Sequence, residues 1–212
     1  MQHIFDLYEN AFHQHGDSPQ AVLMPKGRQE IRFHSLTHHI TEDKDFSLLD
    51  YGCGLAHLKP FLDEHYKNVN YTGADAVSTF IETCRSKYPR VQFFNAQSPT
   101  EIAGEYDYIV ASGVFNLMYI PEIAIHRTMV FDMIGQLFNK AKCYLSVNMM
   151  TDAVDFQQPH AYHQNVTEIY NFAFENLSRR LIIDQSYMPY EFTLTIWKDQ
   201  QIQRPANIYG IR

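Results

Sequence analysis

The chain is short of cysteine, of basic residues and of long apolar runs, and each shortage closes off a class of protein. Its three cysteines, Cys53, Cys84 and Cys143, are widely spaced and odd in number. They fit neither a disulfide framework nor the paired spacing of a zinc site, which points to a reduced, cytoplasmic setting. Lysine and arginine total 17 against 24 acidic residues, a formal charge of −7. Broad binding to nucleic acid or to an anionic membrane draws on clustered cations, so neither is expected as a partner. No apolar run approaches the ~18 residues that cross a bilayer. The opening stretch MQHIFDLYENAFHQHG holds two acids and lacks an apolar h-region, so it does not read as a secretory signal. Internal repeats and low-complexity segments are absent as well.

What is present is ample material for a core. The chain has 212 residues, 45% of them apolar and 14% aromatic, which suits one domain with a short extension. Ile4, Phe5, Tyr8 and Phe12 recur at helical spacing and predict a helix over 3–14. Gly16 and Pro19 break it. Ile31, Leu36 and Ile40 predict a second helix from about Gln29 to Ile40, followed by the charged loop TEDKDFS. From Ser47 strand and helix patterns alternate. Strands are predicted over 47–51, 69–75, 91–95, 106–112 and 143–149, with helices over 56–65, 77–87 and 121–140. SLLDY and YIVAS are nearly continuous apolar runs, as strands buried on both faces are. A parallel sheet covered by helices on both faces follows. After a helix near 166–178, two more strand patterns, 181–188 and 191–198, are separated by only Pro189 and Tyr190. That is too short for a parallel crossover. They form either an antiparallel hairpin or one long bent strand.

The most informative stretch is SLLDYGCGLAHL, Ser47 to Leu58. Two glycines leave a buried strand just before a helix. Glycine there permits a tight turn and close backbone approach to a ligand, at the strand end where open α/β sheets bind ligands. About 20 residues past Gly54, at the end of the next strand, Asp75 in YTGADA is suited to accept hydrogen bonds from both hydroxyls of a ribose. The dinucleotide fingerprint asks for a third glycine, and His57 stands in that place. Asp50, just before the turn, is unsuited to phosphate but suits a ligand with a cationic end. S-adenosylmethionine has such an end, an α-amino group and a sulfonium, and no phosphate.

LLDYGCGLAHL resembles the first motif of the class I S-adenosylmethionine-dependent methyltransferases. YTGADA is similar to their ribose-binding strand end, YDYIVASGVFN (106–116) to their fourth-strand motif, and the terminal pair 181–198 to their sixth and seventh strands. The likeness covers about residues 28–198. It implies a Rossmann-like, doubly wound, mostly parallel seven-stranded sheet ending in an antiparallel hairpin, with N-terminal helices. It divides the chain into a helical extension or lid (1–44), the methyltransferase domain (45–200) and a tail (201–212). Carried over, Asp50, Gly52, Cys53 and Gly54 surround the methionine end, Asp75 holds the ribose and Ala76 lies against the adenine. Beside Ala96, Gln97 stands where the family often has an aspartate, and its amide oxygen accepts the same bond. Ala111, Ser112 and Gly113 line the cofactor near the sulfur. Arg32 is a candidate for the methionine carboxylate.

Each residue has a plainer reading. Asp75 also suits a helix cap, Arg32 an ordinary surface, and Cys53 a small buried filler rather than a nucleophile. His34 and His38 lie four apart, but no third ligand accompanies them, so no metal is expected. Phe5, Tyr8 and Phe12 read as core before lid. Methyl transfer is an in-line displacement that asks mainly for alignment and exclusion of water. A hydroxyl acceptor gains from a general base, and His163 and His160 follow the fifth strand at the sheet edge where acceptors dock. The expectation is O-methylation of a small molecule, with Asn116, Tyr119 and Tyr162 as acceptor contacts. The rival readings are a methyltransferase acting on protein or RNA, a non-catalytic cofactor-binding partner protein, and a nicotinamide-dependent oxidoreductase.

Overall fold

The structure, a computed structural model, describes residues 2–24, 27–40, 45–158 and 160–198. Most of the expected charged loop, 41–44, and the expected tail lie outside them. Two helices come first, α1 (Gln2–His15) and α2 (Arg28–Thr37), with a 3-10 turn at Pro19–Val22 between them. The alternation then runs β1 (Phe46–Tyr51), α3 (Leu58–His65), β2 (Val69–Asp75), α4 (Ser78–Lys87), β3 (Gln92–Asn95), β4 (Tyr106–Ser112), α5 (Ile123–Lys140), β5 (Ala141–Met150), α6 (Val166–Asn176), β6 (Leu181–Asp184) and β7 (Glu191–Trp197). The strands form one seven-stranded sheet in the order β3-β2-β1-β4-β5-β7-β6. Strands β1 to β5 pair with one another in parallel, and β7 runs antiparallel between β5 and β6.

The sheet is therefore the Rossmann-like one that the sequence predicts, and the bent-strand alternative falls. The hairpin connection is longer than two residues. β6 stops at Asp184, whose Oδ1 accepts the Ser186 N–H at 2.8 Å. That local bond turns the chain out of the ladder. α3 starts two residues later than predicted, because Ala56 takes a left-handed conformation with φ 56°.

Alternation along the central strands divides the core in two. Leu49, Ile109 and Leu145 meet Val130 and Ile134 of α5 and Ile169 of α6. Leu48, Val110 and Tyr144 meet Leu36 of α2, Leu62 of α3 and Ile81 of α4. Fully burying side chains of this size stabilises by about 1.5–3 kcal/mol each. α2 belongs to this second core. Ile31, expected on its apolar face, is 41% exposed, and Phe33 and Leu36 are the residues that pack. α1 stands apart from both faces. Phe5, Tyr8 and Phe12 pack with Val77 and Phe80 in a third cluster at the carboxyl edge of the sheet.

The strand order reverses between β1 and β4, and the helices after them go to opposite faces. A crevice opens there, at the carboxyl ends of the strands. The glycine corner forms its floor. Gly52 has φ +73°, and a Cβ on it would lie 2.0 Å from Val114 Cγ2. The Gly52 and Cys53 N–H groups both donate to Ala74 O, at 2.7 and 2.9 Å, which pins the corner to the end of β2. Gly52→Ala is expected to cost about 1–2 kcal/mol for the left-handed backbone alone. It must also displace Val114 from the crevice. Thermal unfolding together with S-adenosylhomocysteine titration checks this, and a variant that binds like the native chain would contradict it.

Candidate functional site

Over the corner lies a cavity of about 400 Å³, within the range of pockets that hold one small ligand. α1 and the segment after it roof it with Phe5, Tyr8, Val22 and Met24. Asp50, Gly52, Cys53, Gly54, Asp75, Ala76, Ala96, Gln97, Ser112, Gly113 and Arg32, drawn from five separate segments, all line it. Of the cofactor residues expected from the sequence, Ala111 alone does not. It is fully buried with Ile109 in the α5 side of the core. Residues of equal parity on β4 share a face.

Two carboxylates face the cavity from adjacent strands. Asp75 Oδ2 accepts the Gly54 N–H at 2.8 Å and Oδ1 accepts the Val77 N–H at 2.9 Å. It thus ties the corner to the start of α4, and each oxygen keeps a further lone pair. Burial raises its pKa, opposed by the N–H groups of Val77, Gly54 and Ala76. Asp50 is 3% exposed and accepts the Tyr71 hydroxyl at 2.7 Å. Burial pushes it up to about 7, against the pull of the Tyr71 hydrogen bond and with a further push from the Asp75 charge. Beneath the corner the Cys84 thiol donates to Gly54 O at 3.3 Å. Burial also raises the Cys53 thiol well above its usual value, so it stays neutral and acts as filler.

Arg32 meets a partner that the sequence did not suggest. Its Nε donates to Glu191 Oε2 at 2.7 Å and its Nη2 to Glu191 Oε1. Both side chains are nearly inaccessible, 7% and 3%. Nη1 donates to Met24 Sδ at 2.8 Å and lies 3.1 Å from where a Gly113 Cβ would sit. Arg32 therefore faces the cavity at the β4 corner with its charge largely spent on Glu191.

The acceptor residues divide. Asn116 and Tyr119 line the cavity. Asn116 Oδ1 accepts the Met150 N–H at 2.8 Å, and the Tyr119 hydroxyl donates to Val114 O at 3.1 Å. Tyr162 does not reach it. It is 2% exposed, and its hydroxyl donates to Gln164 Oε1 at 2.7 Å. Neither candidate base reaches it either. His163 Nε2 accepts the Gln158 N–H at 3.3 Å, so its proton sits on Nδ1 and is donated to Thr151 O at 2.9 Å. Both nitrogens are occupied by backbone, and the imidazole braces a loop. His160 is exposed, with φ 64°, and its carbonyl accepts the Met118 N–H. Among the described residues of the cavity wall the one histidine, His57, is held by Gln29 at 3.0 Å and Asp17 at 2.8 Å. His34 packs edge-on against Phe61. No cluster of three metal-ligating side chains occurs among the described residues.

Two outcomes test this geometry. His163→Ala should lower stability by about 1–3 kcal/mol, the cost of two orphaned backbone groups, whereas His160→Ala should stay within about 0.5 kcal/mol. Chemical denaturation of both variants decides it. Separately, folded Asp50 holds its proton to about pH 7 while an unfolded aspartate releases it near 3.8. Between those values the native state binds more protons. The Asp50 contribution to stability therefore falls as pH rises through that window. Unfolding measured across the window should show this component, and Asp50→Asn should remove it.

No protein-family model matches the chain. A Mycobacterium tuberculosis protein whose methyltransferase assignment is itself inferred is 26% identical over 162 residues, covering 72% of this chain and 93% of its own. Among solved structures, a magnesium protoporphyrin IX methyltransferase from Synechocystis with bound S-adenosylhomocysteine superposes with a TM-score of 0.61, at 17% identity over 92% of this chain and 94% of its own. A plantazolicin methyltransferase, also with S-adenosylhomocysteine, gives 0.64 at 13% identity over 94% and 100%. An S-adenosylmethionine-dependent methyltransferase from Aquifex aeolicus gives 0.58 at 14% identity over 83% and 95%. The chain thus shares nearly end to end the fold of class I S-adenosylmethionine-dependent methyltransferases, and over most of its length it is related in sequence to a protein assigned the same class of activity.

Proposed function

We propose that the protein methylates a small-molecule acceptor inside the roofed cavity. The observation that carries this reading is a pair of carboxylates, buried Asp50 and part-buried Asp75, facing one cavity over the glycine corner. A carboxyl raised to about 7, with the Tyr71 hydroxyl on one oxygen, suits an ammonium ligand. The remaining lone pairs of Asp75 suit ribose hydroxyls. Gln97 and Ala96 suit the adenine, and Gly113 leaves room beside Arg32 for the methionine carboxylate. When bound, S-adenosylmethionine supplies a methyl already activated by its sulfonium.

The chain's own contribution is alignment and exclusion of water. Phe5, Tyr8 and Met24 close the cavity from above, which gives the N-terminal helix the lid role. A recessed cavity of about 400 Å³ beneath α1 favours a small acceptor over a folded protein or an RNA strand. The named neighbours act on magnesium protoporphyrin IX and on plantazolicin, acceptors too unlike each other to name this one. With His57 engaged and both loop histidines outside the cavity, no imidazole stands ready as a base. A hydroxyl that is acidic in its own right, a phenol or an enol, needs no imidazole to lose its proton.

Calorimetric titration with S-adenosylhomocysteine tests the cofactor half directly. Binding is expected, with Asp75→Asn weakening it by about 10- to 100-fold, the value of hydrogen bonds to a charged group. Circular dichroism of the variant controls for the corner that Asp75 also holds. Absence of binding by the native chain, with preference for a nicotinamide dinucleotide, would reverse the reading.

A further inference from the structure

Arg28 and Arg32 stand one turn apart on the same side of α2, and they share one carboxylate. Arg32 takes both oxygens of Glu191. Arg28 Nη1 comes no nearer than 3.9 Å to Oε1, too far for a hydrogen bond. Among the described residues of this wall two guanidiniums face one carboxylate, so one positive charge is left over. It belongs to Arg28, whose side chain is 41% exposed against 7% for Arg32. The other two acids of the described cavity wall, Asp50 and Asp75, stand over β1 and β2.

A chain of contacts, Glu191 and then Arg32 beside Gly113, links this charge to the corner, and the charge itself stands over a different part of the sheet. Glu191 pairs with Met150 in the β5–β7 register, and the Met150 N–H is held by Asn116. Arg28, Glu191, Met150 and Asn116 thus form one continuous wall at the β5–β7 end of the cavity. Strands lie about 4.8 Å apart, so β7 is roughly 10 Å beyond the β1–β4 corner. On the reading above, the adenosine lies over β2 and β3 and the methionine end at the corner, which leaves this end to the acceptor. Met24, Leu117 and Met150 give it an apolar lining.

We propose that Arg28 anchors a carboxylate on the acceptor, so that the substrate is a small monoanion with an apolar body. One uncompensated cation matches one negative charge, and a guanidinium pairs with a carboxylate in a planar, two-bond geometry. The proposal rests on the methyltransferase reading for the placement of the cofactor. A carboxylate has two possible sources here, the acceptor and the methionine end of the cofactor, and the experiment separates them.

The protein saturated with S-adenosylhomocysteine is titrated, by ligand-observed NMR, with matched probes: 3-(4-hydroxyphenyl)propanoate and its primary amide, and 4-hydroxybenzoate and its primary amide. In each pair the acid should bind about tenfold tighter than the amide. Arg28→Gln should erase that difference while leaving S-adenosylhomocysteine affinity within about twofold. Arg28→Lys should keep part of the preference, a rescue that misfolding would not give. Equal binding of acid and amide to the native protein, or no binding of either acid, overturns the proposal. So does an Arg28→Gln variant that loses S-adenosylhomocysteine affinity and keeps the acid preference, because the arginine then serves the cofactor. A native chain that binds no S-adenosylhomocysteine fails earlier and separately, at the methyltransferase reading itself.

Discussion

The reversal of strand order between β1 and β4 is the constraint on which the rest of the structure depends. There β1 and β4 lie side by side and send their following helices, α3 and α5, to opposite faces, which opens a gap above them. The chain meets that gap with backbone rather than side chain. Gly52 and Cys53 both lean on Ala74 O, and Gly54 leans on Asp75. The corner is thereby flat enough for a ligand to approach and rigid enough to orient one. Beside Asp50 and Asp75, side chains reach the crevice down from α1 and inward from α2.

Charge is distributed unevenly along this crevice. Asp50 and Asp75 crowd the β1–β2 end, where burial makes ionisation of Asp50 costly until a cation arrives. The β7 end holds two arginines against one glutamate. The site therefore has a polarity along the sheet, acidic over the first strands and basic beyond the fifth. A ligand that is cationic in one part and anionic in another has one favourable direction in which to lie. Buried ion pairs such as Arg32–Glu191 contribute little net stability compared with apolar packing, yet leaving one partner unpaired is costly. Their value here is in fixing where the guanidinium points.

The sheet and its corner were legible because their signals are local. Apolar runs, a two-glycine exit and an acid at the next strand end can all be read within 30 or so residues, the span of one βαβ unit. The rest depended on contacts between distant segments. Glu191 opens an ordinary-looking strand, EFTLTIW, and only the fold brings it to Arg32. His160, Tyr162 and His163 sit at the correct edge of the sheet, but the loop that carries them turns two of the side chains into the protein and one outward. Position along the chain places a residue near an edge without giving its direction. Ala111 is the instructive exception. Alternation within YDYIVAS puts it with Ile109, on the core side, and that parity was available from the sequence.

The clasp between Arg32 and Glu191 spans 159 positions of the chain. A ribosome delivers the two halves of that clasp far apart in time. The sheet from β1 to β5 can begin to assemble while β7 is still being made, because its parallel pairings need only residues already delivered. The wall above it cannot close. Until β7 slides in between β5 and β6, Arg32 has no counter-charge and Ser35 lacks the Thr193 hydroxyl that it meets at 2.7 Å. The wall that Arg32 and Glu191 share thus closes with the last strand, after every residue of the glycine corner has been delivered.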